Sequence, residues 1–181
     1  MIIALSGELG AGCTEVATIL STKLGINFIN SAAIIKSIVV EFRGVHPTES
    51  FMEFEQHVAS GEIDLDKMIR SKIDELIKRG DLIIEGRSAF MLLDKPNVFK
   101  VLLVAPKEKR VRHIAKARNI TIEEAEEAIR VSDSERKHMV EKLFKKDWLD
   151  PNNYDLVINT GTRTHEEAAD LILYEIGRMK K

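Results

Sequence analysis

The sequence predicts an α/β fold in which a parallel sheet of about five strands is covered by helices on both faces. Short apolar runs rich in Ile, Val and Leu alternate with longer amphipathic segments, and such runs are typical of buried parallel strands. The runs are residues 2–5, 26–29, 82–84, 98–104 and 155–158. The intervening segments carry helix-start signals, in which a hydroxyl residue precedes a glutamate at capping-box spacing. These pairs are Ser50 with Glu53, Thr121 with Glu124, and Thr164 with Glu167.

The first apolar run is followed by the stretch GELGAGCT, residues 7–14. Its glycines have the spacing of the phosphate-binding pattern G-x-x-x-x-G-K-[ST], but Cys13 stands at the lysine position. Gly7, Gly10 and Gly12 allow positive φ angles, which turn successive amides inward as donors for phosphate oxygens. The helix that follows adds a positive end of about half an elementary charge. We therefore expect a phosphate site whose missing cation comes from an arginine or lysine elsewhere in the chain.

The predicted phosphate-binding stretch runs from Gly7 through Ala11 to Glu15, and Thr14 and Cys13 are its two informative side chains. Thr14 keeps the hydroxyl that such loops offer to Mg²⁺. Cys13 is interpreted either as a small filler or as a reactive thiol, because a helix N-terminus lowers a thiol pKa. A glycine-rich turn that binds no ligand is the alternative for the whole stretch.

Two regions are predicted to be insertions rather than linkers between domains. The stretch from about 40 to 66 reads as helical but is interrupted by turn-forming residues. The interrupting residues are Gly44, Pro47 and Gly61. It leads into the predicted helix 64–79, which has an apolar face. A second insertion is predicted over 118–147, where charged residues are dense.

Composition limits the function classes that the chain supports. It has 27 Lys and Arg and 29 Asp and Glu, so the net charge of −2 gives no reason to expect nucleic acid or an anionic membrane as partner. The single cysteine excludes an internal disulfide framework. No apolar run approaches the ~20 residues that span a bilayer, and no secretory signal is apparent. A cytoplasmic address is the expectation.

Three further stretches, taken with the loop, resemble the cytidylate kinase-like group of nucleoside monophosphate kinases. They are LIIEGRSA (82–89), VLLVAPKEKRVRHIAKARNITIEEAEEAI (101–129) and NYDLVINT (153–160). The resemblance is closest to the archaeal-type branch, in which a small residue commonly replaces the loop lysine. It implies a three-layer P-loop kinase fold in one domain, 1–181, with a monophosphate-binding insertion over about 36–80 and a lid over about 118–147. It also implies transfer of a phosphoryl group from ATP to CMP or dCMP with Mg²⁺.

Four residues are expected to act at the transferring phosphates. Arginine suits this chemistry because its planar fork donates two parallel hydrogen bonds to a phosphate. The resemblance implies that Arg87 binds the acceptor's α-phosphate, that Arg110 bridges the phosphates and that Arg136 closes over them from the lid. Asp133 is expected to orient Arg136 or to hold a magnesium-bound water. The alternatives are an exposed arginine after a turn for Arg87 and a solvated helix face for Arg136.

On the donor side, Ala117 departs from the family pattern, which often has arginine there. Arg118 is the expected substitute. Arg163, in the loop after NYDLVINT, is expected to stack on the adenine of the donor.

On the acceptor side, Lys36 stands where the family has an arginine, so it can neutralise phosphate but cannot bind it as a fork. Asp64 is predicted to accept from a cytosine amino group, and Arg70 to reach the base or the phosphate. Ordinary helix-start and helix-surface roles are the alternatives for Asp64 and Arg70.

Three functions are therefore open from the sequence. The first is an ATP-dependent CMP or dCMP kinase, acting as a monomer or weak homodimer on small nucleotides. The second is a kinase of another nucleotide or of a small metabolite. The third is a non-catalytic nucleotide-binding protein with a degenerate loop, which the replacements Cys13, Lys36 and Ala117 suggest.

Overall fold

The computed structural model describes residues 1–46 and 50–179 and contains a five-stranded parallel sheet. The strands are β1 (Ile2–Gly7), β2 (Phe28–Asn30), β3 (Leu82–Glu85), β4 (Val98–Val104) and β5 (Leu156–Asn159). They lie in the order β2-β3-β1-β4-β5, and every neighbouring pair is parallel. The predicted sheet is confirmed. Each strand begins and ends within two residues of the apolar run that predicted it.

Helices connect the strands. They are α1 (Cys13–Leu24), α2 (Ser31–Val45), α3 (Phe51–Ser60), α4 (Leu65–Lys78), α5 (Lys107–Arg118), α6 (Ile122–Phe144) and α7 (His165–Met179), with 3₁₀ segments at Gly86–Leu92 and Pro151–Asn153. The predicted capping boxes form at the starts of α3 and α6. At α7, Thr164 and Glu167 exchange the same two hydrogen bonds, of 2.8 and 3.1 Å. None of the helices in the described residues could cross a membrane, because each is too short or too polar.

Apolar cores lie on both faces of the sheet, as a three-layer architecture requires. Successive residues of β1 point to opposite faces, so Ile3 and Leu5 join one core and Ile2 and Ala4 join the other. The first core is completed by α1 and α7, and the second by α2 and α4. The helix residues buried there include Val16, Leu20 and Ile172 in the first core and Ile34, Ile38 and Ile73 in the second.

The two predicted insertions are helical and are joined to these cores. Region 36–80 holds most of α2 together with α3 and α4, and α2 and α4 pack directly on the sheet. Region 118–147 is almost wholly α6, whose Ala125 and Ile129 pack against α5. Pro47, one of the predicted interruptions, lies outside the described residues. The monophosphate-binding and lid roles of the two regions stay predictions.

The strand order positions a site at one edge of the sheet. The chain leaves β1 for β2 and β3 on one side and then crosses to β4 and β5 on the other. In open α/β sheets, such a switch point opens a crevice beyond the carboxyl ends of the strands. Gly7 at the end of β1 and Glu85 at the end of β3 therefore border that crevice.

We expect truncation of the α1 core face to destabilise the protein strongly. Leu20 is fully buried between α1 and the sheet, so Leu20→Ala should lower the free energy of unfolding by about 2–5 kcal/mol. Leu171→Ala on the outer face of α7, where the side chain is 38% exposed, is the control and should change it by no more than about 0.5 kcal/mol. Urea unfolding followed by circular dichroism measures both, and equal losses would contradict the assigned core.

Candidate functional site: a phosphate loop facing an arginine-lined cavity

The loop between β1 and α1 has the backbone geometry of an anion cradle. Gly10 and Gly12 both have φ of 88°, a left-handed conformation that residues with a side chain rarely adopt. Helix α1 starts directly after Gly12, and no side chain caps its first turn. Its leading N–H groups are therefore available to an anionic ligand.

Close packing also requires glycine at both positions, because a side chain there would collide with neighbouring residues. A Cβ on Gly10 would lie 2.9 Å from the carbonyl oxygen of Arg110, and a Cβ on Gly12 would overlap the ring of His165. The loop is thus wedged between α5 and the start of α7. Thr160 adds a further tie, because its hydroxyl donates to the Ala11 carbonyl over 2.9 Å.

Cys13 is interpreted either as a small filler or as a reactive thiol, and the surroundings of its thiol favour the small filler. Burial raises the pKa of the Cys13 thiol well above its ordinary value, and the nearby Glu85 carboxylate raises it further. This direction is opposite to that of a thiol activated by a helix N-terminus. It argues against the interpretation of Cys13 as a reactive thiol and favours the small filler.

Thr14 and Glu85 form a pair of oxygen donors beside the loop. The Thr14 hydroxyl donates to Glu85 Oε1 over 3.2 Å. Glu85 ends β3 and is 6% exposed, and burial raises its pKa. Hydroxyl and carboxylate oxygens are ligands that Mg²⁺ accepts, so the two residues fit a magnesium ion whose other ligands are phosphate and water. Glu85 is not among the predicted site residues, although a carboxylate at the end of an otherwise apolar strand indicates such a role.

A cavity of about 410 Å³ opens in front of the loop, which is the size of a small-ligand site. The loop lines one side of it, and the start of α2, the end of β3 and helices α5 and α6 line the rest. The cavity brings together three of the predicted arginines. They are Arg87, Arg118 and Arg136. Asn30 and Ser31, at the start of α2, also line it and were not predicted.

Arg136, which lines the cavity, has a hydrogen-bond donor that the described residues leave unpaired. Its guanidinium donates to the Ser132 carbonyl over 3.1 Å and to the Ser132 hydroxyl. Its Nε is buried and has no hydrogen-bond partner among the described residues. Burial lowers the pKa of this guanidinium, and an unpaired buried donor is costly, so an anion in the cavity would stabilise it. The solvated-face interpretation of Arg136 is wrong, because only 7% of the residue is exposed.

Arg87 spans the cavity from the end of β3 to α6. Its NH1 donates to Glu135 Oε2 over 2.7 Å, and about half of each side chain is exposed. Exposed ion pairs contribute little, about 0–1 kcal/mol, so a phosphate can displace Glu135 at small cost.

Arg110 and Asp133 are placed differently from the expectation. Arg110 is 6% exposed, does not line the cavity and pairs with Asp133 over 2.8 Å. In this structure each of its three nitrogens contacts a protein group, an arrangement that differs from the expected bridging of phosphates. Asp133 in turn binds Arg110 and does not orient Arg136, which is held by Ser132 instead.

On the donor side, the cavity contains Arg118 but not Arg163. Arg163 lies in the exposed loop before α7, where its NH1 donates to the Thr162 hydroxyl over 3.2 Å. His113 lines the cavity instead, with Nε2 3.0 Å from Glu15 Oε1. The sequence had left His113 unassigned, since one histidine on a charged helix carries no pattern.

Lys36, Asp64 and Arg70, the residues predicted for the acceptor apart from Arg87, do not line the cavity. Lys36 is exposed on α2, more than one turn beyond the α2 residues that line it. Asp64 caps α4 by accepting from the Lys67 amide over 3.0 Å. Arg70 pairs with Asp94 over 3.5 Å and lies over the Phe144 ring at 4.9 Å. The helix-start and helix-surface alternatives describe Asp64 and Arg70 in this structure.

Comparison with known proteins decides the family. Residues 2–162 match the sequence profile of the Cytidylate kinase-like family. The chain belongs to the cytidylate kinase-like family. A relative named cytidylate kinase, from Methanobrevibacter smithii, is 30% identical over 174 residues, with 96% of each chain covered. Another, from Sulfolobus acidocaldarius, is 32% identical over 181 residues and covers 98% of this chain and 95% of its own.

Solved structures agree with this family at the level of the fold. A protein from Eubacterium ventriosum superposes with a TM-score of 0.74 at 23% identity, covering 98% of both chains. Shikimate kinase from Bacteroides thetaiotaomicron superposes with a TM-score of 0.58 at 17% identity, covering 98% of this chain and 97% of its own. The predicted resemblance, its archaeal branch and the P-loop kinase fold are confirmed.

We expect the buried carboxylate of Glu85 to destabilise this cytidylate kinase-like protein when no ligand is bound. Glu85→Gln removes a buried charge and keeps an acceptor oxygen for Thr14, so it should raise the free energy of unfolding at pH 7 by about 0.5–2 kcal/mol. The native pKa of Glu85 lies above the unfolded one. As pH falls through the native pKa, the native state takes up the proton first and the wild type gains stability. The difference between the two proteins should therefore shrink toward pH 4.

Urea unfolding between pH 4 and 8 measures this difference. Glu126→Gln on the exposed face of α6 is the matched control and should leave stability unchanged at every pH. A Glu85→Gln protein that is less stable than the wild type at pH 7 would contradict the assigned cost of burial.

Proposed function

We propose that this protein is an ATP-dependent nucleoside monophosphate kinase that transfers the γ-phosphoryl group of ATP to CMP or dCMP. Family membership and the near full-length match to relatives named cytidylate kinases support the reaction and the acceptor. The observation that carries the proposal is that one cavity is bordered by the phosphate loop, by Arg87 and by Arg136, a guanidinium with no carboxylate partner among the described residues. Such a cavity suits two phosphorylated ligands held end to end.

The donor triphosphate would lie in the loop. The N–H groups of Gly10 and of Gly12 to Thr14, with the positive end of α1, would hold its phosphate oxygens, which offsets the absence of a loop lysine. The Ala11 N–H instead donates to the Glu8 carbonyl over 3.0 Å and closes the turn. Thr14 and Glu85 would hold Mg²⁺, which when bound neutralises charge on the phosphates. Arg118, at the end of α5, lines the cavity and would contact the donor nucleotide there. For Arg163, a stacking role stays a proposal.

The acceptor phosphate would be held by Arg87. Binding would exchange the Glu135 carboxylate for phosphate, and the planar fork would align the acceptor oxygen with the donor. Lys36 would add positive charge from α2. Arg136 would donate from its guanidinium to the transferring group, where negative charge develops. Phosphoryl transfer needs alignment, charge stabilisation and exclusion of water rather than a covalent catalyst.

Recognition of the cytosine base by Asp64 and Arg70 is proposed from the family alone. Asp64 caps α4, and Arg70 contacts Asp94 and the Phe144 ring, so a binding role requires them to exchange their present partners. We also propose a cytoplasmic monomer or weak homodimer with neither nucleic acid nor membrane as partner, which the net charge of −2 and the single cysteine support.

The reaction is tested by ADP formation from ATP and Mg²⁺ with CMP, dCMP, UMP or AMP as acceptor. We expect turnover with CMP or dCMP, and no ATP consumption without an acceptor. Strong turnover with AMP and none with CMP would contradict the cytidylate assignment. Tight ATP binding without turnover on any acceptor would favour a non-catalytic nucleotide-binding protein.

Arg87→Ala should raise the KM for CMP and lower kcat, with kcat/KM reduced by about 100-fold or more, because the acceptor phosphate loses its bidentate partner. The KM for ATP should change much less. Arg79→Ala is the control, since Arg79 is an exposed arginine at the end of α4 that pairs with Glu75 and does not line the cavity. An Arg87→Ala enzyme with wild-type KM for CMP would contradict the role of Arg87.

A further inference from the structure

Arg110 is a buried guanidinium, and each of its three nitrogens lies against a protein group. Nε donates to the Ala105 carbonyl over 3.1 Å, and NH1 donates to the Leu9 carbonyl over 3.3 Å. The same NH1 binds Asp133 Oδ2 at 2.8 Å, and NH2 lies 3.1 Å from Glu8 Oε1. The side chain is 7% exposed, so each of its three nitrogens has a partner inside the protein.

These bonds join three segments of the chain at the back of the phosphate loop. Glu8 and Leu9 belong to the loop, Ala105 follows β4, and Asp133 lies on α6. The two carboxylates reinforce the joint with their second oxygens. Glu8 Oε2 accepts from the Ala105 amide over 3.0 Å, and Asp133 Oδ1 accepts from the Leu9 amide over 3.4 Å.

The Leu9 peptide is therefore fixed at both ends, immediately before the left-handed Gly10. Its N–H is bound by Asp133 and its carbonyl by Arg110. The backbone of Arg110 also fills the space where a side chain on Gly10 would stand. The path of the loop from Glu8 to Gly10 is thus constrained by Arg110 and its two carboxylate partners.

The charge balance of this cluster argues against direct phosphate binding by Arg110. One guanidinium is paired with two carboxylates, so the cluster of Glu8, Arg110 and Asp133 has a net negative charge. A phosphate that took the place of either carboxylate would leave a partly buried acidic group without its partner. The exposed pair of Arg87 and Glu135 carries no such penalty.

The same cluster connects the loop to the arginine of the cavity. Asp133 and Arg136 are three residues apart on α6 and lie on neighbouring faces of that helix. By anchoring Asp133, Arg110 sets the position from which Arg136 reaches the cavity.

We propose that Arg110 is a positioning residue that shapes the phosphate loop and anchors α6 to it through Glu8 and Asp133, without contacting the nucleotide. This inference rests on the proposed binding of a triphosphate at the loop. The buried guanidinium behind the loop thus holds in place the main-chain donors that act instead of a lysine at position 13. Its contribution is to the shape of the loop.

Asp133→Asn tests the proposal, because the two roles of Arg110 predict opposite signs. If Arg110 positions the loop, the substitution weakens binding of a non-hydrolysable ATP analogue with Mg²⁺ by about 10-fold. If Arg110 is a phosphate ligand, the substitution frees its NH1 and removes a nearby negative charge, so affinity stays the same or increases. The dissociation constant is measured by calorimetry on the full chain, well below the unfolding temperature.

A double-mutant cycle with Arg110→Met separates positioning from independent contributions. In a positioning role, the double variant binds the analogue about as weakly as Arg110→Met alone, because both changes break one cluster. Additive losses would overturn the proposal. Arg112→Met, an exposed arginine on the same helix, is the matched control and should bind as the wild type does.

Two further outcomes keep the test decisive. If Arg110→Met does not fold, Glu8→Gln replaces it in the cycle, since that change keeps the shape of the side chain. If Asp133→Asn lowers the unfolding temperature but leaves the dissociation constant unchanged, the cluster only stabilises the fold and the proposal fails. A wild-type protein that does not bind the analogue would instead refute the proposed function.

Discussion

The path of the chain from Gly7 to Cys13 is the constraint on which the rest of the site depends. Main-chain amides can replace a lysine only while they face the ligand, and two left-handed glycines make that possible. Those conformations are rigid here because the loop is packed against α5, the start of α7 and the buried Arg110. The sheet contributes by ending β1 and β3 at the same edge, which sets Glu85 beside Thr14.

The arginines in and behind the cavity fall into two groups. One group is held by protein carboxylates, and the other can still bind a phosphate. Arg110 is buried between two carboxylates and is committed to the fold. Arg87 is exposed and weakly paired, and Arg136 is buried with an unused donor, so both are available to phosphate. Glu85 adds a buried negative charge that a bound magnesium ion would compensate. The ligand-free protein therefore holds several groups whose best partners are the proposed substrates and the metal ion.

Much of this arrangement could be predicted from sequence, for identifiable reasons. The strands follow from apolar runs, the helix starts from capping boxes, and the loop from its glycine spacing, because each signal lies within about ten residues. The partners of Arg110 could not be predicted in this way, since Leu9 lies 101 positions away and Asp133 lies 23 positions away. Glu85 was overlooked because its role depends on Thr14, which is 71 positions distant. Asp64 and Arg70 show the converse, since the family suggested ligand roles where local geometry gives a helix cap and a surface contact.

A crystal structure with Mg²⁺, a non-hydrolysable ATP analogue and CMP is the most direct measurement of the central claim. We predict phosphate oxygens within about 3.2 Å of the amide nitrogens of Gly10 and of residues 12–14 and of the Arg136 guanidinium, with Arg110 still paired to Asp133. A triphosphate bound away from these amides, or a loop whose amides turn toward the protein interior, would contradict the account.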